Sequence, residues 1–320
     1  MEIRSPRPDE HEALLDLLER AFDERAQFAL YIEADPCYRD DDFLVAFDGQ
    51  RAVACVQIFE KRIRARDTIL SLGGIGSVAT DPDYRSRGLA SDLMRRQTVA
   101  MQQRGYALGL LFTGRITFYE PLGWVQCMLP QVAVHRPAAL RTGPATLRPF
   151  LPSDLPRVKA LYDDYSRDLL GTTLRDDSYW AGQLRYAGNP EERFQVAETG
   201  GEIVAYARTV KIGLECAMEY GRLPTAAEAL AQLIVSLAPK PGALVLRTTP
   251  DPGFRDALRI RAARVDSLPD PTPMWRVLDR TLLGSLVGNG ADGVDGMSDA
   301  DLVHALVEER AVHYWLSDRF

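Results

Sequence analysis

The chain has 320 residues, 46% of them hydrophobic and 26% charged, and carries a formal net charge of −7 at pH 7. That length exceeds one ordinary domain and can bury more than one core. A balance this acidic argues against any general affinity for nucleic acid and leaves a cationic partner as the better electrostatic match.

The opening residues, MEIRSPRPDEHEALL, show neither a basic segment leading into an apolar one nor a cleavage site. No stretch approaches about 18 unbroken apolar residues. We therefore expect a cytoplasmic protein without a membrane partner. Cys37, Cys55, Cys127 and Cys216 are scattered with no CxxC pair, and His11, His135, His304 and His313 show no ligand spacing. The expectation is idle thiols, no disulfide framework and no metal.

In chain order, residues 3–17 (IRSPRPDEHEALLDL) predict a short strand, a proline turn and an amphipathic helix. Residues 21–43 then mix Asp23, Glu24, Glu33 and Asp35 with Phe28, Tyr31 and Tyr38, a set that suits a cationic amine and equally suits a solvated helix face. FLVAFDGQRAVA (43–54) predicts a hairpin with a glycine turn. An apolar strand (70–80), the loop DPDYRSRGLA, a helix to about Arg104 and a second apolar strand (107–114) follow, and then FYEPLGW (118–124).

The pattern then recurs. LRPFLPSDLPRVKAL (147–161) matches residues 3–17 at an offset of 144, and FQVAETGGEIVA (194–205) matches 43–54 at an offset of 151. Two matches in one order at nearly one offset predict a tandem duplication. The Pro-, Gly- and Thr-rich stretch 136–149 reads as a linker, giving domains at about 1–140 and 146–285. A Gly- and Asp-rich loop (288–301) and a helix with Ser298 as N-cap and Asp301 three residues on make up a third segment, 286–320.

The loop 84–90, YRSRGLA, lies between a strand and a helix N-terminus. About four backbone N–H groups lack partners there, and the helix dipole favours anions. Gly88 allows a phosphate to approach the backbone, Arg85 and Arg87 add charge, and Ala90 is small. A capped turn with surface charges gives the same short motif, so the surrounding order of elements carries the weight.

Arg85-Ser86-Arg87-Gly88-Leu89-Ala90 resembles the R/Q-x-x-G-x-G/A pyrophosphate signature of the GNAT acetyltransferases, with strand and helix in that family's order. The resemblance covers the first half and, more weakly, the second. It implies an α/β fold of two tandem GNAT units, each a mixed twisted sheet flanked by helices. It also implies acetyl-CoA as co-substrate and direct transfer to an amine, with no acyl-enzyme. By the same resemblance Val78 and Ala79 would pair with the pantetheine arm, and Arg85, Ser86, Arg87, Gly88, Leu89, Ala90 and Ser91 would hold the pyrophosphate. FYEPLGW is similar to the family's helix carrying a tyrosine near the thiol. That gives Tyr119 the task of protonating the leaving sulfur, which a phenol with an unperturbed pKa near 10 can do. Packing beside Phe118 and Trp124 is the other reading of Tyr119.

The second half lacks these features. YGRLPTAAEALAQL replaces the loop, and PGFRDALRI (252–260) aligns Arg255 with Tyr119, so we expect only the first half to be catalytic. Mycothiol synthase works with its second copy, and FemX-type transferases need no pyrophosphate loop. The pattern is most similar to the enhanced-intracellular-survival (Eis) group of aminoglycoside acetyltransferases. Those end in a phenylalanine whose carboxylate serves as base, which would assign that role to Phe320. The group's third domain has no room here, which weakens the case for aminoglycosides as acceptors. A CoA-binding regulator without turnover, and transfer of another acyl group or an amino acid, are the alternatives. The acceptor is expected to be a small-molecule amine, and homo-oligomerisation is left open.

Overall fold

The structure, a computed structural model, describes residues 1–65, 67–186, 192–287, 296–309 and 312–318. In the first half, β1 (Glu2–Arg4) leads to α1 (His11–Phe22) and α2 (Arg25–Ala34). Then come β2 (Phe43–Asp48), β3 (Arg51–Ala65), β4 (Thr68–Thr80), α3 (Leu89–Gln103), β5 (Leu108–Phe112), α4 (Ile116–Tyr119), β6 (Val125–Gln126) and β7 (Gln131–His135). The second half repeats the order with β8 (Thr146–Pro149), α5 (Leu155–Ser166), α6 (Asp177–Tyr186), β9 (Arg193–Thr199), β10 (Glu202–Ile212) and β11 (Leu214–Arg222). It continues through α7 (Ala227–Leu237), β12 (Leu244–Arg247), α8 (Pro252–Arg261), β13 (Arg264–Ser267) and β14 (Pro273–Val277). α9 (Arg280–Val287) and α10 (Asp299–His304) follow, and a π-helical turn, Ala305–Glu309, extends α10.

Both expected hairpins form, with Asp48 opposite Arg51 in one and Thr199 opposite Glu202 in the other. Two seven-stranded mixed sheets result, ordered β1-β2-β3-β4-β5-β14-β6 and β8-β9-β10-β11-β12-β7-β13. The orders correspond strand for strand except at the sixth place, where each half supplies the other's strand. β14 lies between β5 and β6, with Trp275 opposite both Leu110 and Val125, while β7 lies between β12 and β13. This reciprocal exchange was not among the expectations. Trp275 is fully buried. An aromatic side chain of that size contributes about 4–6 kcal/mol of gross hydrophobic stabilisation, so the exchanged strand is a principal part of the first core.

The helices follow from their apolar spacing. Leu14, Leu15, Leu17 and Leu18 form the buried stripe of α1, which packs on the face of the first sheet that holds Phe43, Val45, Phe47 and Cys55. α3 covers the opposite face through Leu89, Leu93, Met94 and Met101, together with Ile58, Ile75 and Leu111. The 312–318 segment and α10 complete the first face at its other end, against Ile63, Leu70, Leu72 and Trp275. Ser298 and Asp301 make the expected reciprocal cap, but α10 is shorter than the sequence predicts because the chain widens into the π turn after His304. Residues 288–295 of the expected glycine-rich loop lie outside the described residues.

The halves meet where α2 packs on α6. A Cβ placed on Gly182 would lie 2.1 Å from the carbonyl oxygen of Ala34, a backbone atom that cannot turn aside. Gly182→Ala should therefore cost roughly 1–3 kcal/mol as the two helices separate, read as a lower denaturation midpoint. An unchanged midpoint would mean that this contact is not close in solution.

Candidate active site

The first sheet opens where the sequence places the motif. β4 and β5 run parallel and pair only through Leu72–Gly74 and Leu108–Leu110. Beyond Gly74 no pairing between them is present among the described residues, so residues 75–80 have an open edge toward β5. A β-bulge accompanies the divergence: Cys55 faces Ala79 and Gln57 faces Gly76, which leaves one extra residue on β4. Ser77, in the bulge, has φ +50°. The buried Gln57 side chain accepts a 2.9 Å hydrogen bond from Ser77 Oγ, fixing that conformation. Val78 and Ala79 therefore lie on the stretch of β4 that has parted from β5, with Ala79 paired to Cys55 on the β3 side.

The loop after β4 is anchored by Asp81, which sequence reasoning missed. Its 1% exposed side chain accepts from Arg20 Nε at 2.8 Å, from an Arg51 guanidinium nitrogen at 2.7 Å and from the Asp83 amide at 3.1 Å. Burial pushes its pKa up, but the Asp83 amide and the two arginines outweigh that and hold it below the usual value. No spacing rule joins positions 20, 51 and 81, so the cluster is legible only in three dimensions.

From Asp81 the chain turns through Ser86 (φ +60°) to Gly88 (φ +77°), the N-cap of α3. A Cβ on Gly88 would meet nothing within 4 Å, so glycine is required by its backbone angle rather than by space. Gly88 gives α3 no side-chain cap, and among the described residues the amides of Arg87, Gly88, Leu89, Ala90 and Ser91 have no acceptor. Arg85 and Arg87 are exposed beside them. Arg87 donates to the Asp83 carbonyl at 2.7 Å and stacks 4.6 Å from the Tyr84 ring centre, which orients it, while Arg85 makes a long 3.4 Å contact to the Thr80 carbonyl. Unpaired amides, a helix N-terminus and two guanidinium groups together form an anion seat.

Tyr119, at the end of α4, is 8% exposed and belongs to the same apolar cluster as Leu89, Leu93 and Trp124. Val78 and Tyr84 border that cluster, so the structure brings the tyrosine, the bulge and the loop to one face of the sheet. Its hydroxyl has no hydrogen-bond partner among the described residues, and burial raises its pKa to about 12, opposed only by nearby Arg115. The turn behind it is fixed by the exchanged strand: Arg276 of β14 donates to the Leu122 carbonyl, and Gly123 adopts φ +81° against the same guanidinium. Phe320 lies outside the described residues. The chain leading toward it is held as far as Asp318, which is buried in a network with Arg175 and Tyr179.

The acidic stretch 21–43 is dispersed rather than gathered into a pocket. Glu33 pairs with Arg185 at 2.6 Å, Asp35 caps the Cys37 amide at 2.9 Å, and Tyr38 bonds Asp40 at 3.0 Å. In the second half the corresponding loop is filled by its own side chain. Arg222 binds Asp251 at 2.7 and 2.8 Å and donates to the carbonyls of Leu223 and Pro224, while the Ala226 amide is taken by the Leu223 carbonyl. Arg255 lines a small cavity there with Thr248 and Thr249 in place of a tyrosine.

Residues 2–127 match the family described as "Acetyltransferase (GNAT) domain". The first half thus carries a GNAT acetyltransferase domain, and the protein is an acyltransferase. Among solved structures, the chain is similar to a GCN5-related N-acetyltransferase from Anabaena variabilis ATCC 29413, with a TM-score of 0.68 and 14% identity over 88% of this chain and 74% of that one. It is similar to Eis1 from Mycobacterium abscessus, with a TM-score of 0.61 and 15% identity over 89% and 76%. N-myristoyltransferase from Saccharomyces cerevisiae, solved with bound myristoyl-CoA, gives a TM-score of 0.55 and 14% identity over 85% and 79%. These likenesses show the fold. No curated protein matches the chain. No described helix is long and apolar enough to cross a membrane.

Proposed function

We propose that the first half transfers acetyl from acetyl-CoA directly to a primary amine on a small or medium-sized cationic acceptor, as in the Eis group, and that the second half is a non-catalytic tandem copy. The observation that carries this reading is the row of unpaired amides from Arg87 to Ser91 at the end of a strand that has parted from its neighbour. The pyrophosphate binds those amides with Arg85 and Arg87, and the pantetheine arm lies along Val78 and Ala79. The amine lone pair attacks the thioester carbonyl, the new C–N bond forms and the C–S bond breaks. Tyr119 gives its proton to the departing sulfur and regains one from water, and the ammonium proton passes to solvent. Arg222 fills the corresponding loop of the second half, which supports a single working site. The matching strand orders support the tandem reading.

The test is release of free CoA thiol across a panel of amines, with acetyl-CoA binding followed separately by calorimetry. Turnover with an amine establishes the transferase, whereas binding with no turnover on any acceptor would favour a CoA sensor. Replacing Arg85 and Arg87 by alanine should weaken acetyl-CoA binding about ten- to a hundredfold, since each removes a charge-assisted contact, and should flatten the salt dependence. Undiminished affinity would place the diphosphate elsewhere. The fold's likeness to a protein that binds myristoyl-CoA supports a second reading, transfer of a longer acyl group, which the same assay resolves by varying the donor.

A further inference from the structure

The expectation of idle thiols and no metal meets a different arrangement at the edge of the first sheet. Cys127 follows β6 directly, and its amide donates to the Pro273 carbonyl of β14 at 3.3 Å. His304 ends α10 and Glu308 lies in the π turn that follows, so the three residues come from two distant parts of the chain. Their donor atoms converge. Cys127 Sγ is 3.6 Å from His304 Nδ1 and 3.6 Å from a Glu308 carboxylate oxygen, and that oxygen is 3.3 Å from His304 Nδ1.

We propose that Cys127, His304 and Glu308 bind one zinc-class divalent cation, with the fourth position taken by water. A tetrahedral zinc ion with bonds of about 2.3 Å to sulfur and about 2.0–2.1 Å to nitrogen and oxygen separates its S and N or S and O donors by about 3.5 Å, and its N and O donors by about 3.4 Å. The three observed separations reproduce one face of that tetrahedron without movement of any residue. Thiolate and carboxylate together neutralise the dication, and a thiolate–imidazole–carboxylate set is the borderline-soft combination that favours zinc over calcium or magnesium. Binding expels the thiol proton to solvent, and the sulfur lone pair forms the new bond. Cys127 is 1% exposed, whereas the His304 and Glu308 side chains are 45% and 55% exposed, so the metal would sit with sulfur beneath it and an open side toward water.

The π turn serves this geometry. It widens the helix just after His304, where a regular turn would continue, and single π turns are frequent at functional sites. Leu302, Val303, Leu306 and Val307 on the same segment pack into the core under the first sheet. The cation would therefore fasten the segment leading to residues 312–318 onto the sheet edge formed by β6 and β14.

Cobalt(II), an optical substitute for zinc, tests this on the full chain with no polyhistidine tag. The expected result is one equivalent bound, a thiolate-to-cobalt charge-transfer band in the near ultraviolet, and displacement by zinc(II). The band should vanish in Cys127→Ser. Because Cys127 is buried, the solvent-facing His304→Ala and Glu308→Gln provide the second arm: each should weaken zinc binding at least about tenfold while keeping the parent's metal-free melting temperature. Zinc should raise the parent's melting temperature and leave that of the Cys127 variant unmoved. Absence of the charge-transfer band, or zinc affinity equal in the parent and all three variants, would overturn the proposal and leave the trio a hydrogen-bonded cluster.

Discussion

Tyr119→Phe should reduce turnover roughly 10²- to 10⁴-fold while leaving acetyl-CoA binding within experimental error of the parent, the pattern expected when a general acid is lost from the transition state alone. The substitution removes one oxygen that has no protein partner among the described residues and leaves the ring against Phe118 and Trp124, so folding is not at stake. With its pKa at about 12, the phenol stays protonated well above the range in which a free tyrosine ionises, and no alkaline loss of activity from this group is expected below about pH 10. Thiol release at saturating donor reads the effect. A phenylalanine variant with the parent's turnover would return Tyr119 to a packing role and require another source for the proton.

The second large effect concerns stability. Arg175, with its side chain fully buried, donates to Glu219 at 2.8 Å, to Ser317 at 2.8 Å and to Asp318 at 3.0 Å, and it lies 4.0 Å from the ring centre of Tyr162. Arg208, equally buried, reaches the Gln183 side chain and Glu192, each at 2.5 Å. Arg175→Met would strand the carboxylates of Glu219 and Asp318 in the interior and should cost about 3–5 kcal/mol, because breaking a buried pair leaves an uncompensated charge. The urea midpoint measures it. A midpoint equal to the parent's would show that these carboxylates are hydrated. Burial tends to raise the Glu219 pKa, but Arg175 and Arg208 overcome that and the net shift is downward. Its folded pKa lies below its unfolded one, so its contribution is complete above the ordinary carboxylate range and disappears as the pH falls through the lowered folded value.

The parts of the fold governed by local rules were legible in the sequence. The repeated hairpins, the stripe of α1, the strand–loop–helix around Gly88 and the Ser298 cap all follow from periodicity, turn chemistry and capping, which act over a few residues. What was hidden depends on distance. QVAVH and PMWRV are both short apolar strands, and nothing in either says which sheet it will join. Asp81 gained its role from arginines at 20 and 51, and Cys127 its neighbours from a helix 177 residues away. The acidic stretch 21–43 shows the converse. Its composition suited a cationic amine and a solvated helix face equally, and the pairing of Glu33 with Arg185 of α6 is decided only by tertiary packing.

The strand exchange bears on how the polypeptide matures during synthesis. The first sheet lacks its sixth member, and the turn behind Tyr119 lacks the guanidinium that fixes it, until residue 277 has left the ribosome. The second sheet, by contrast, waits on nothing still to be made, since β7 precedes all its other strands. The nascent amino-terminal portion must therefore persist with an uncovered strand edge while the second half is made, a long-range closure of the kind that slows folding and invites chaperone capture. Activity would then wait on the emergence of β14, which ties the acquisition of the proposed working site to synthesis of the second half.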